Sequence, residues 1–331
     1  MKQRIYWIDV VKFVAVVFVI LAHVVWVTEQ SNHDGCGLPA NLMAINRIIA
    51  SLGVPLFMMV SGTLLMKKGF ETKADIMAFY RHGLFPLVIT AEIWIVVYCL
   101  IALRPFTFKE LILNMVLVHK PEVHLWYVRV IVIYYLLIPF LNRLRINSKW
   151  LFVVLLALVA TFTFAYNAWL IYDGNLCPTT PNRSYFCYLI YMAAGFVLAR
   201  QSLSPKRLCA AVILLLFGGA VLFLTLSRTD YFLWYDNPLL AVMAISLFYI
   251  IRFVSSCKME KYVVSEISKM SYGIYLSHFL LIYVVGMIVK ACSLNGISFY
   301  LALLAVLMFD FILIWGVKKY APKVCKVVFR Y

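Results

Sequence analysis

The chain has 331 residues, 65% of them hydrophobic and 13% charged, with a formal net charge of +16. A soluble chain of this length is about half apolar and a quarter charged, so a single water-soluble core is excluded and lipid is the expected solvent for the excess apolar surface. The positive charge has no soluble domain or basic cluster to sit in; nucleic acid is therefore excluded as a partner, and cytoplasmic loops rich in Lys and Arg explain the charge.

Ten apolar segments approach the ~20 residues that span a bilayer. They are 8–27, 44–66, 83–103, 125–141, 150–171, 185–199, 208–227, 238–253, 270–289 and 297–317. The first is long enough to span and is followed by the polar stretch 28–41 rather than a small-residue cleavage site, so it reads as a retained helix. The fourth, sixth and eighth are short, and interfacial aromatics such as Trp126, Tyr185, Trp234 and Tyr235 are placed to extend them. The stretch 106–119 has mixed periodicity and suits a short interfacial helix. No linker, soluble domain or internal repeat interrupts the chain, which reads as one domain over 1–331.

With the N-terminus inside, 21 of the 30 Lys and Arg residues fall in inner segments and 6 in outer ones, while Lys12, Arg47 and Arg129 fall within spans. That split obeys the positive-inside rule at every inner loop. The fold class is thus an all-α polytopic membrane protein of about ten transmembrane helices, both termini cytoplasmic. The eight cysteines show no metal-ligand spacing, so no metal is expected. Cys36, Cys177 and Cys187 fall on or near the outer face, where a disulfide and isolated thiols are both open.

An ionisable side chain inside a span costs several kcal/mol unless it is paired or meets water. Few stand in such places here: Asp9 at the inner edge of the first span, Lys12 and His23 within it, Glu92 in the third, Arg129 in the fourth, His278 in the ninth and Asp310 in the tenth. Lys12 and His23 are eleven residues apart, close to three turns, so they share one stripe ~16 Å apart along the axis. Asp9 lies one turn below Lys12. Histidine is the side chain best suited to take a proton from a hydroxyl near neutral pH, and an interhelical hydrogen bond is its alternative role. Lys12 is shallow enough to snorkel, and Asp9 can pair with it or with Arg4.

In the second span Pro55 permits a kink and Ser61-Gly62 permits close backbone approach, which favours tight helix packing. In the ninth, Ser271, Tyr275 and His278 recur at helical spacing, so one face is polar and must meet another helix or a wet cavity. Glu92, Arg129 and Asp310 are open between pairing and proton-relay roles.

Several strings then converge. They are Ile8-Asp9-Val-Val-Lys12 with Ala15 and His23; Val54-Pro55-Leu56-Phe57 to Ser61-Gly62; Tyr80-Arg81 to Pro86; His124-Leu125-Trp126-Tyr127 to Tyr134, Tyr135 and Pro139; Gly195-Phe196; and Ser271-Tyr272-Gly273-Ile274-Tyr275-Leu276 to His278. In this order they resemble the integral-membrane acyltransferase-3 family, and the layout is most similar to the members that acetylate an amino sugar of enterobacterial common antigen. The resemblance implies a multi-pass protein of the bacterial inner (plasma) membrane. Its donor is acyl-coenzyme A, most simply acetyl-CoA, and its acceptor a hydroxyl of a surface glycan or lipid-linked sugar. The family's pattern of a basic residue, ten others and a histidine maps onto Lys12 and His23; on that frame His23 is expected as the base with Asp9 in the catalytic set, Lys12, Arg81 and Ser61 at the donor, and the outer-side His124, Trp126 and Tyr127, whose aromatic faces suit sugars, at the acceptor. The family usually carries Arg where this chain has Lys12, which keeps the charge but loses the bidentate fork.

Two readings outside acyl transfer stay open. Buried His, Glu and Asp serve a proton-coupled transporter or flippase equally well, although the repeat symmetry of many transporters is missing. A non-catalytic scaffold would keep the fold without the chemistry.

Overall fold

The computed structural model describes residues 5–31, 39–101, 123–172, 185–227, 233–256, 262–291 and 296–331. The expected helix over 106–119, and Cys36 and Cys177, lie outside them. Among the described residues every regular element is helical. The α-helices are α1 (Tyr6–Ser31), α2 (Ala40–Ser51), α3 (Gly53–Leu65), α4 (Lys73–Phe79), α5 (Phe85–Ile101), α6 (Trp126–Asn147), α7 (Lys149–Tyr172), α8 (Cys187–Leu198), α9 (Pro205–Leu226), α10 (Pro238–Ser256), α11 (Tyr262–Ala291), α12 (Gly296–Tyr320) and α13 (Pro322–Val328). A π-helical segment covers Tyr80–Leu84 and a 3-10 turn Val123–Leu125.

All ten apolar segments carry helix. Among the described residues, seven helical stretches are long and apolar enough to cross a membrane: Tyr6–Val27, Ala40–Leu65, Lys73–Ile101, Trp126–Asn147, Pro205–Leu226, Pro238–Ser256 and Tyr300–Tyr320. Apolar residues crowd the outside, with Leu216 67% and Leu158 64% exposed. A water-soluble fold does not leave this much apolar surface uncovered, and lipid covers it without cost. The chain is a polytopic membrane protein.

Three local breaks have clear causes. The second span, where Pro55 permits a kink, divides into α2 and α3 joined at Leu52. Pro55 has no N–H to offer the carbonyl of Ser51, so the ladder stops there and restarts. In the third span Pro86 likewise leaves the His82 carbonyl without its usual donor, and the helix widens to π over Tyr80–Leu84, with the Phe85 N–H bonding back to Tyr80. The ninth span starts at Tyr262 rather than near 270, which brings Ser265 and Ser268 into the helix.

The described chain forms two compact units, one of Met1–Lys68 and Leu141–Ser268, the other of Gly69–Phe140 and Lys269–Tyr331. In the first unit α3 lies against both α1 and α8. Gly53 makes the α1 contact close: a Cβ there would stand 3.0 Å from the Ala15 carbonyl oxygen and from Val19. Asn142, fully buried, donates from Nδ2 to the carbonyls of Leu65 and Lys68, both at 2.9 Å, and so closes the C-terminal end of α3. In the second unit α13 lies on α5, where Thr90 and Trp94 donate to the Val327 and Val328 carbonyls, each at 2.8 Å. Arg330 donates from Nη2 to the Gly83 carbonyl at 2.8 Å.

Candidate functional site

The residues singled out by the sequence divide between the two units. Asp9, Lys12, His23 and Ser61 belong to the first. Arg81, Glu92, His124, Trp126, Tyr127, Arg129, Ser271, Tyr275, His278 and Asp310 belong to the second.

In the first unit α1 carries three of them. His23 is half-buried, and its Nδ1–H donates to the Val19 carbonyl oxygen one turn below, at 2.9 Å. This bond lies within the helix rather than between helices. A carbonyl can only accept, so the bond assigns the proton to Nδ1 and, in the neutral ring, leaves the basic lone pair on Nε2. The Val19 turn is the one that Gly53 of α3 touches, so tight packing holds the peptide that orients the imidazole.

Asp9 is buried, and its carboxylate accepts from Ser268 Oγ at 2.7 Å and from Ser265 Oγ at 3.3 Å. These serines were missed as partners. Their spacing with Ser271 on one face was the available signal, but the segment read as a polar connection. Asp9 is ~21 Å along α1 from His23, so the two do not share a proton-transfer step by contact. Asp9 joins α1 to α11 near Lys12, which is half-buried. Ser268→Ala removes the nearer hydroxyl donor from this buried carboxylate. The expected cost is about 1–3 kcal/mol, read as a lowered unfolding midpoint in detergent; an unchanged midpoint contradicts the role given to this contact.

Ser61 donates from its hydroxyl to the Phe57 carbonyl at 2.9 Å. Its neighbour Gly62 lies on the Met192 backbone of α8, while Gly195 of α8 lies on the Met59 backbone of α3. Thr63 fastens the same crossing, donating to the carbonyls of Met59 and Gly195, both at 2.9 Å.

The second unit brings together His124, Tyr127, Tyr275 and His278, and adds Tyr98 and Phe279, which the sequence did not single out. The His124 ring stacks on Phe279 with centroids 4.8 Å apart and meets His278 and Tyr98 edge-on, each at 5.2 Å. Tyr275 donates its hydroxyl to the His124 carbonyl, and Tyr98 donates to the Leu276 carbonyl at 2.7 Å. The Tyr127 ring lies 5.5 Å from that of Tyr275, and the half-buried Trp126 lies 6.0 Å from Tyr127. The polar face of α11 therefore meets protein: the 3-10 turn, α5 and the start of α6. Nδ1–H of His278 donates to the Ile274 carbonyl at 3.0 Å.

Asp310, fully buried, accepts from Ser277 Oγ at 2.5 Å. Ser271 is buried, Glu92 of α5 and Arg129 of α6 are half-buried, and Arg81 is exposed on the π segment. Among the described residues no group of His, Cys, Asp and Glu is placed to hold a metal ion.

A family model described as an acyltransferase domain, acyltransferase 3, matches residues 5–316. The chain belongs to the acyltransferase-3 family. The match runs from the start of α1 into α12 and so takes in both units. No curated protein and no solved structure matches the chain. Membership makes this membrane protein an acyltransferase by family.

Proposed function

We propose that the protein is a membrane O-acyltransferase that moves an acyl group, in the first place acetyl, from cytoplasmic acyl-CoA to a hydroxyl of a cell-surface glycan or lipid-linked sugar. The family supports the reaction class, and the His23 tautomer is the observation that supports the assignment of the base. Nε2 takes the proton of the acceptor hydroxyl as its oxygen attacks the thioester carbonyl. The new C–O bond forms, the C–S bond breaks, and the proton returns to the departing coenzyme A thiol. His23 regains its starting state with no metal or redox partner.

Lys12 shares the stripe of His23, ~16 Å away along α1. A phosphopantetheine arm is about that long, so a phosphate of the donor held at Lys12 leaves the thioester at the level of the imidazole. Lys12→Ala is expected to weaken acetyl-CoA binding by about 10-fold, the value of one charge-assisted hydrogen bond, with turnover at saturating donor largely kept. Unchanged donor affinity contradicts this role.

The reading as a whole is tested by giving membranes that hold the protein labelled acetyl-CoA and a native glycan and lipid extract. Label should enter glycan or lipid as an ester that hydroxylamine releases. No protein-dependent incorporation from acetyl-CoA or other short acyl-CoAs, together with proton-dependent flux of a glycan, would favour the transporter.

A further inference from the structure

We infer that the last turn of α8, in the first unit, is a binding site for a phosphate group, formed by Arg145, Arg200 and Arg252. These arginines come from three different helix ends. Arg145 lies in the last turn of α6, Arg200 just past α8, and Arg252 one turn before the end of α10. The Arg145 and Arg200 guanidinium carbons stand 4.7 and 3.6 Å from the centroid of the Phe196 ring. Arg252 donates from Nη1 to the Leu198 carbonyl at 2.5 Å and lies 5.7 Å from the Trp7 ring of α1.

Capping of helix carbonyls explains part of this. Arg200 donates from Nη1 to the Phe196 carbonyl at 3.1 Å, and Arg252 does the same for Leu198, so each spends one of five N–H groups on a helix end. Arg145 is not explained that way. It stacks on Phe196 and its Nε–H is buried with no acceptor, as is the Nε–H of Arg252. Like charges brought to one aromatic ring repel unless an anion lies between or beside them. Among the described residues no carboxylate pairs with any of the three. From Leu141 to Ala210 the sequence holds one acidic residue, Asp173.

The partner that fits is a group with several acceptor oxygens and negative charge. Stacked, planar guanidinium groups with open edges recognise phosphate in this way. Two phosphates reach a membrane protein: that of an anionic lipid headgroup and those of a nucleotide-bearing thioester. The first needs a site beside lipid. The second is consistent with Trp7, which places Arg252 at the end of α1 from which Lys12 and then His23 follow. The inference concerns binding alone and does not depend on acyl transfer.

The test measures binding to the purified full chain in an uncharged detergent. The probes are coenzyme A and phosphatidylglycerol, with zwitterionic phosphatidylcholine as reference. Arg145→Gln/Arg200→Gln is expected to weaken at least one of the two anionic probes by about 10-fold or more, with phosphatidylcholine unchanged. Loss of coenzyme A identifies a nucleotide site, and loss of phosphatidylglycerol a lipid site. Affinities within about twofold of the unmodified protein for both probes, or no binding of either probe to that protein, would overturn the inference. Should the double variant fail to fold, Arg200→Gln alone, at an exposed side chain, is read by the same criterion.

Discussion

His23→Ala should lower acyl transfer by about 10²- to 10⁴-fold, the range a positioned general base contributes, without unfolding the protein. The stability half of this expectation follows from the helix. The Val19 carbonyl that accepts from His23 Nδ1 also receives the backbone N–H of residue 23 within α1, so losing the ring leaves it bonded. Donor binding should be nearly unchanged, because the ring acts on the acceptor hydroxyl. The measurement is initial rate and donor affinity side by side. A variant that keeps its rate removes His23 as the base. A variant that loses donor binding in proportion to rate makes it a binding residue.

The second large effect concerns folding. Gly195→Ala places a methyl group on the Met59 backbone, and Gly62→Ala places one on the Met192 backbone. Each helix reads Met-x-x-Gly here, Met59 to Gly62 in α3 and Met192 to Gly195 in α8, and each glycine receives the other helix's methionine carbonyl. A flexible side chain could give way, but backbone cannot without moving a whole helix. The expected cost of either change is at or above the usual range for overpacking, about 3 kcal/mol or more, seen as a lower unfolding midpoint and a lower yield of monodisperse protein. The double change should cost much less than twice either single one, since one separation of α3 from α8 relieves both clashes. Additive losses contradict that shared mechanism. Activity should fall as well, because α3 also supports the Val19 turn through Gly53.

Much of the architecture was readable in the sequence because lipid imposes a simple rule. Every spanning helix must be apolar over most of its length, and all ten apolar segments are helical. The same rule misplaces boundaries where protein, rather than lipid, surrounds a polar group. The start of α11 read as a loop because it holds Ser265, Glu266, Ser268 and Lys269, yet its serines face the carboxylate of Asp9. Hydropathy measures solvation by lipid and is blind to that exchange.

The site divides in the same way. The common stripe of Lys12 and His23 is a property of one helix and follows from its period. The partners of Asp9 are 256 and 259 residues away, and the bond from Tyr275 to His124 spans 151 residues. No local spacing encodes such pairs. Ser61-Gly62 shows the gain from weighing packing beside chemistry. The glycine serves the α3–α8 crossing, and the serine hydroxyl bonds to its own helix. Two prolines, Pro55 and Pro86, were visible from the start. Their effects, a restart at Leu52 and a π segment at Tyr80–Leu84, follow from one missing N–H each.

The most direct test of the central claim is a single-turnover reaction with purified protein, labelled acetyl-CoA and an acceptor fraction, run with the unmodified chain and with His23→Ala at matched donor occupancy. The account predicts that the unmodified protein moves the label to an oxygen ester on the acceptor and releases one coenzyme A per label transferred, while His23→Ala holds donor but transfers at least about 10²-fold more slowly. Equal transfer by both proteins, or coenzyme A release with no acylated acceptor from either, would contradict it.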